Sequence, residues 1–270
     1  MNRIIHLVQN LSLDITAGAL ITSAFLARLM EVEISASMML GLAIAIWLIY
    51  TFDHLRDAYK SKDQASNPRH AFHQRHFKAL VIAGSVVFIA GLYNLQFLPW
   101  ATIEIGLVLV GLSALYFVYL VLAKRAVNKE LFAATVYVAG VATAPLSQVE
   151  QVSAPVLLVL MICWILAYCN LLIIPLFEVK LDISDEQESV VTRLGLRKVR
   201  MLLVALLILS MLLIQLFGFE GGYASAYFIL TSMSLTLVVL IARPSLFRKY
   251  QLYRILSDGI FFLPALIWLL

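Results

Sequence analysis

The sequence predicts an all-α protein that crosses a membrane several times. Of its 270 residues, 62% are hydrophobic and 13% are charged, whereas a soluble domain is about half apolar and a quarter charged. Its mean hydropathy is +0.94. The apolar residues form continuous runs near the length of about 20 that a helix needs to span a bilayer. The runs do not alternate polar and apolar residues, as the strands of a membrane barrel do. Soluble, disordered and disulfide-stapled classes are excluded.

Nine segments are predicted to be membrane-spanning helices, and the whole chain, 1–270, is predicted to be a single transmembrane domain. Pro99 is expected to end the third helix, because proline cannot continue one. The first and last segments are the least uniform, since Asp14 precedes one and Asp258 interrupts the other. In chain order the predicted spans are 15–27, 34–52, 79–103, 105–123, 131–149, 152–177, 201–219, 221–242 and 255–270.

Basic residues predict the orientation. Lysine and arginine are concentrated after the second, fourth, sixth and eighth spans, while the connections at 95–100, 147–153 and 219–225 contain none. By the positive-inside rule, the basic connections and the N-terminus are cytoplasmic and the C-terminus is outside. We therefore expect a multi-pass protein of a bacterial inner membrane. Its net charge of +4 reflects this bias and does not indicate nucleic-acid binding.

Two acidic clusters follow the second and sixth spans, on the predicted cytoplasmic side. Asp53 and Asp57 are four residues apart, and Glu178, Asp182 and Glu186 repeat that spacing. On a continuing helix, each cluster presents its carboxylates on one face. Charged residues are common wherever helices leave a membrane, but the repeated spacing and side favour a binding site. Facing carboxylates suit Mg²⁺, which proteins usually hold through one or two carboxylates plus substrate phosphates.

The same side carries cationic side chains suited to a diphosphate. Arginine and lysine bind phosphate oxygens by charge-assisted hydrogen bonds, and a lipid diphosphate combines such an anionic head with an apolar tail. The histidine-rich stretch 69–76 is interpreted as a basic cap, with a transition-metal site as the alternative. The predicted diphosphate-binding residues are Arg56, Arg69, Lys124, Arg125 and Arg193.

With these features the chain resembles the UbiA-type intramembrane prenyltransferases. That family has nine transmembrane helices, with aspartate-rich motifs after helices two and six. Its second motif, Asp-x-x-x-Asp, is similar to Glu178 through Asp182 here. Its first motif, Asn-Asp-x-x-Asp-x-x-x-Asp, keeps only the last two aspartates. The corresponding stretch is Ile49-Tyr50-Thr51-Phe52-Asp53-His54-Leu55-Arg56-Asp57.

Two shorter stretches add to the resemblance. Thr192 through Gly195 is similar to a family stretch that contains threonine and ends in Leu-Gly. Tyr119, followed by Lys124 and Arg125, is similar to the family's tyrosine and Lys-Arg pair after helix four.

The resemblance implies a Mg²⁺-dependent transfer of a prenyl group from a polyprenyl diphosphate to a lipophilic acceptor. It implies that Asp53, Asp57, Glu178 and Asp182 are catalytic and bind metal, with Glu186 as a further ligand. No protein partner is predicted. Neutral tyrosine is a poor ligand for Mg²⁺, so Tyr50 in the first motif favours one metal held by Asp53 and Asp57.

Further polar and aromatic residues are predicted within the spans. Tyr119 and Tyr168 are candidates for stabilising a carbocation through their ring faces. Asn170 is a polar group in an apolar span, which predicts either a pocket residue or a tie between two helices. Asp258 is four residues after Arg254 and is expected to pair with it.

The connections 53–78 and 178–200 are expected to form short helices that cap the pocket. Cys163 and Cys169 are six residues apart in one apolar run, which predicts buried free thiols, because their side chains point to different sides of a helix.

Three other functions remain open at this stage. A terpene cyclase of the same family would ionise the diphosphate without an acceptor. A non-catalytic scaffold would fit the loss of ligands at Ile49 and Tyr50. A transporter is disfavoured, because transporters carry broken helices and charges near the middle of the membrane, whereas the acids here are concentrated at one surface.

Overall fold

A computed structural model describes residues 3–60, 68–123, 129–184, 188–217 and 223–270. Helix is the only regular structure in these ranges, which confirms the predicted all-α class. The α-helices are α1 Arg3–Asn10, α2 Leu13–Leu29, α3 Ala36–Lys60, α4 Pro68–Arg75, α5 Phe77–Asn94, α6 Trp100–Ala123, α7 Lys129–Leu146, α8 Ala154–Ser184, α9 Val190–Leu194, α10 Leu196–Phe217, α11 Ala224–Ala242, α12 Pro244–Arg248 and α13 Leu252–Gly259. Short 3₁₀ segments cover Leu95–Phe97, Lys249–Gln251 and Ile260–Trp268.

Five helices in the described ranges are long and apolar enough to cross a membrane: α3, α5, α8, α10 and α11. Helical structure also occupies the other four predicted spans, as α2, α6, α7 and the run from α13 through the segment Ile260–Trp268. The described chain is therefore all-helical, with several apolar helices compatible with an integral membrane protein.

Several helix ends differ from the prediction. α5 ends at Asn94 and a 3₁₀ turn continues to Phe97, so the third helical span stops just ahead of Pro99, as expected, and does not reach residue 103. The last predicted span is not one α-helix, because α13 gives way to 3₁₀ structure that contains Pro264. Proline has no N–H to donate to an α-helical hydrogen bond.

Two helices continue beyond their apolar runs and carry the acidic clusters with them. α3 extends past Phe52 to Lys60, and α8 extends past Phe177 to Ser184. The 31 residues of α8 correspond to about 46 Å at 1.5 Å per residue, against about 30 Å for the hydrocarbon core. α8 is therefore long enough to carry its carboxylates to the membrane surface.

The core lies around α8, which packs against α7, α10, α11 and α13. Its buried side chains include Ile162, Ile165, Leu166 and Leu172. Cys163 and Cys169 are buried free thiols, as predicted.

α5 and α6 lie at the periphery. Val86, Ile89, Val110 and Leu115 each expose more than half of their surface. Soluble monomers rarely expose apolar patches this extensive, so these faces are suited to contact lipid.

α2 and the C-terminal 3₁₀ segment Ile260–Trp268 approach each other closely at Gly18. A Cβ atom at this position of α2 would lie 2.9 Å from Phe261 Cβ in the segment Ile260–Trp268. Glycine therefore lets the first predicted span and the last pack in direct contact.

Both connections expected to cap the pocket contain a short helix. α4 follows α3, and α9 lies between α8 and α10. A capping box begins α9, in which Ser189 and Thr192 each bond the other's backbone N–H. Gly195 ends it with φ +86°, a conformation that favours glycine. The Thr-Arg-Leu-Gly stretch therefore builds a capped helical turn.

Candidate functional site

Contacts between helix ends gather the charged residues at one end of the bundle, which we call the charged end. Lys129 at the start of α7 reaches the end of α3, and Arg254 of α13 reaches the end of α8. Glu130 Oε1 accepts a hydrogen bond of 2.8 Å from Val190 N, which joins α7 to the start of α9. Two ionic clusters result, one on α3 and one on α8.

The first cluster, the aspartate pair, consists of Asp53 and Asp57 with two cations. Arg56 Nη2 lies 3.4 Å from one Oδ of each aspartate. Lys129 Nζ lies 3.3 Å from the other Oδ of Asp53 and 3.5 Å from that of Asp57. The side chains are 16–34% exposed, so water reaches the cluster. Both carboxylates therefore face the same two cations in an accessible setting.

Lys129 precedes the apolar part of α7, and the two carboxylates decide the direction of its pKa shift. Burial alone would lower its pKa, but Asp53 and then Asp57 outweigh burial and raise the pKa above the ordinary lysine value. Lys129 is thus held as an ammonium ion between the aspartates.

The second cluster is the ion pair between Glu178 and Arg254. Arg254 Nε donates to Glu178 Oε1 at 2.6 Å, and Nη2 donates to Oε2 at 2.6 Å. The hydroxyl of Tyr253 donates to Oε1 at 2.5 Å, and its ring stacks on Phe177 with centroids 4.5 Å apart. Only 5% of the Glu178 side chain and 14% of Arg254 are exposed. This is a bidentate pair with an additional donor.

The Glu178–Arg254 pair changes two expectations. Arg254 pairs with Glu178 on another helix and not with Asp258, four residues away on its own helix. Metal ligation by Glu178 does not fit this geometry, because both of its oxygens already accept charge-assisted hydrogen bonds. Asp182 lies one turn further along α8 and is partly exposed, and Glu186 lies outside the described residues.

The test for Mg²⁺ is whether the carboxylates present suit it. Among the described residues, no group of three or more His, Cys, Asp or Glu side chains is placed to hold a metal ion. Asp53 and Asp57 nevertheless share the cation Lys129 through one oxygen of each carboxylate, and two carboxylates with substrate phosphates are a common Mg²⁺ environment. The accessible aspartate pair therefore fits one ion only in the place that Lys129 occupies, while the closely bonded Glu178 does not fit a second.

Arg69 of α4 joins the charged end to the N-terminal helices. Its guanidinium donates to Gln9 O at 3.0 Å and to Ser12 Oγ at 3.2 Å, at the turn between α1 and α2. Burial, followed by the like charge of Arg254, lowers the pKa of Arg69 to about 10. At neutral pH it remains a cation, and its described contacts position α4 against α1 and α2.

Of the remaining predicted diphosphate residues, Arg193 is exposed on α9. Lys124 and Arg125 lie outside the described residues. The histidine-rich stretch is partly buried. The ring centroid of His73 lies 5.1 Å from that of His54 on α3, and the ring centroid of His76 lies 4.6 Å from that of Phe72.

The three predicted pocket residues lie in different parts of the structure and do not line one pocket together. Asn170 Nδ2 donates to Asp258 Oδ1 at 3.1 Å, which ties α8 to α13 inside the bundle. Asn170 Oδ1 has no hydrogen-bond partner in the described part of the chain. Tyr168 is partly buried beside Trp164. Tyr119 is 45% exposed on the peripheral helix α6, so it does not lie inside the bundle.

Three residues of the charged end were not singled out from the sequence. Lys129 and Glu130 lie at the end of the basic connection after the fourth span without a motif of their own, and Tyr253 lies in the basic connection after the eighth span. The available signal was the adjacent pair Lys129 and Glu130 at the first turn of a span. Their partners on α3 and α9 are set by tertiary packing.

These elements define a helical bundle, compatible with an integral membrane protein, that carries ionic clusters at one end. No family model, no curated protein and no solved structure matches the chain. The geometry and chemistry of the charged end therefore carry the functional proposal.

Proposed function

We propose that the protein is an intramembrane transferase that binds a polyprenyl diphosphate at the charged end and moves its prenyl group to a lipophilic acceptor. The observation that carries this proposal is that Asp53 and Asp57 face the same two cations, Arg56 and Lys129, in a cluster that water reaches. A metal diphosphate presents both positive and negative charge, and this cluster has partners for each.

The proposal includes the arrangement in the membrane. It has nine crossings, with the N-terminus and the charged end in the cytoplasm and the C-terminus outside, in a bacterial inner membrane. The distribution of lysine and arginine supports this orientation. The apolar faces of the helices around the charged end would accommodate the isoprenoid tail within the bilayer.

Each side chain of the aspartate pair has a role in this scheme. Asp53 and Asp57 would hold one Mg²⁺, which when bound would neutralise charge on the diphosphate. Arg56 and Lys129 donate hydrogen bonds to phosphate oxygens and stabilise the negative charge that develops there. The allylic C–O bond breaks and its electron pair leaves with the diphosphate. An electron pair of the acceptor forms the new bond to the prenyl carbon, and the acceptor's proton passes to solvent.

A specific observation also supports a non-catalytic scaffold. Both oxygens of Glu178 are engaged by Arg254 and Tyr253, so the second acidic cluster lacks the ligand that the family resemblance implies for it. A scaffold of this kind would retain the fold without turnover.

The test measures the melting temperature, Tm, of the purified protein in detergent with geranylgeranyl diphosphate, with and without Mg²⁺. A ligand at 100 times its dissociation constant stabilises the folded state by about 2.7 kcal/mol. We expect a Mg²⁺-dependent rise in Tm that is lost in Asp53→Asn. It should be kept in Glu104→Gln, an exposed acid on α6 that lies outside both ionic clusters.

Diphosphate release then separates the candidate functions. A transferase releases diphosphate only when an acceptor is added, whereas a cyclase releases it without one. Binding without release in either condition supports the scaffold. Absence of any Tm shift across several isoprenoid lengths contradicts the proposed diphosphate site.

A further inference from the structure

A groove of about 480 Å³ runs between α10 and α11 on the surface of the bundle. Its wall on α10 includes Val204, Ile208 and Leu212, which are spaced four residues apart and therefore lie on one face of the helix. Val238 and Ala242 line it from α11. None of the lining residues belongs to the two ionic clusters, so the groove is a separate feature.

Arg200 is the charged residue that lines this groove. Its Nη2 donates to the carbonyl of Ile241 at 3.4 Å. That carbonyl is one of the last four of α11, which have no partner within their own helix. The contact holds the guanidinium across the end of the groove, while its other N–H groups have no acceptor among the described residues.

Two further arginines increase the positive charge at this end. Arg197 precedes Arg200 by three residues, which places it on the same side of α10. Arg243 follows Ile241 by two residues at the end of α11. No described carboxylate lies within ion-pair distance of these three arginines. Within the described ranges, this end of the groove is therefore a concentration of positive charge without a paired carboxylate.

The other end of the groove is neutral. Gln215 Nε2 donates to the hydroxyl of Tyr227 at 3.2 Å. Arg200 and Gln215 are 15 residues apart along α10, which corresponds to about 22 Å. The groove thus suits a molecule with an apolar chain and a negative charge at one end.

We propose that the groove binds one anionic phospholipid, whose phosphate contacts Arg200 and whose acyl chain lies along Val204, Ile208 and Leu212. Basic pockets between transmembrane helices bind anionic lipid head groups, and the planar guanidinium matches phosphate oxygens. A zwitterionic lipid would bring its own cation toward the arginines. A second copy of the chain in the same membrane orientation would place its arginines at the same depth, where like charges repel.

The test compares three additives by the Tm of the full chain in detergent. Phosphatidylglycerol carries both the tail and the net negative charge, phosphatidylcholine carries the tail without net charge, and inorganic phosphate carries the charge without the tail. We expect only phosphatidylglycerol to raise Tm, by roughly 2–4 °C. The rise should be lost in Arg200→Gln and kept in Arg248→Gln, an exposed arginine on α12.

A steric variant tests the acyl-chain part independently of charge. Ala242→Phe fills the groove and should abolish the phosphatidylglycerol shift, whereas Val239→Phe, at a position 49% exposed, should retain it. If Ala242→Phe does not fold, the Arg200→Gln comparison decides.

The proposal is overturned by equal shifts with both phospholipids, by a shift with phosphate alone, or by a shift retained in Arg200→Gln. It is also overturned by a dimer that phosphatidylglycerol leaves intact and that Ala242→Phe dissociates. The geranylgeranyl diphosphate shift should persist in Arg200→Gln, so this site and the proposed transferase site can fail separately.

Discussion

The two ionic clusters of the charged end differ in geometry and exposure, although both join carboxylates to arginine or lysine. Glu178 and Arg254 meet at 2.6 Å with 5% and 14% of their side chains exposed. Asp53 and Asp57 meet their cations at 3.3–3.5 Å, in side chains that are 16–34% exposed. A short, buried bidentate pair cannot exchange partners without leaving charge unsolvated. The looser pair can, because water compensates each charge. One cluster is therefore suited to fixing α13 on α8, and the other to binding a ligand.

The largest expected effect comes from breaking the buried pair. Glu178→Ala leaves Arg254 as an uncompensated buried charge, and loss of one partner of such a pair costs about 3–5 kcal/mol. Unfolding in mixed micelles that contain an increasing fraction of a denaturing detergent measures the change in free energy of unfolding. Glu188→Ala, at an exposed position between α8 and α9, is the control and should change stability by less than about 0.5 kcal/mol.

The double variant Glu178→Leu with Arg254→Met distinguishes the cost of an unpaired buried charge from the cost of lost side-chain packing. Replacing both charges by apolar side chains of similar size is often neutral or stabilising, so most of the stability should return. A double variant as unstable as Glu178→Ala would contradict the view that the cost lies in the unpaired arginine.

Tyr253→Phe is expected to have an intermediate effect. It removes one hydrogen bond to Glu178 Oε1 and keeps the ring that stacks on Phe177. Hydrogen bonds to charged groups contribute about 1.5–3 kcal/mol, so the free energy of unfolding should fall by that amount in the same assay. A change below about 0.5 kcal/mol would show that Arg254 alone satisfies the carboxylate.

The same contrast explains how much the sequence could predict. Helical class, apolar spans and the placement of Asp53 with Asp57 on one face follow from periodicity within a single helix, and α3 continues far enough to realise that face. The contacts between different helices could not be predicted from this periodicity. Spacing within α13 favoured Asp258 as the partner of Arg254, but the docking of α13 against α8 brings Glu178 closer. Lys129 reaches α3 for the same reason: its partners lie more than 70 residues earlier in the chain.

The smallest effect on stability, and the clearest separation of folding from binding, is expected from Lys129→Gln. Its two ion pairs are accessible to water, so their removal should change the free energy of unfolding by about 0–1 kcal/mol. If Lys129 also donates to a phosphate oxygen, losing that charged hydrogen bond weakens diphosphate binding by about 10- to 150-fold. Titration of Tm with geranylgeranyl diphosphate at constant Mg²⁺ measures both quantities. Lys198→Gln, exposed on α10, should change neither. Unchanged affinity with lowered stability would show that Lys129 stabilises the fold and does not bind the ligand. The aspartate pair would then have the same structural role as the Glu178–Arg254 pair.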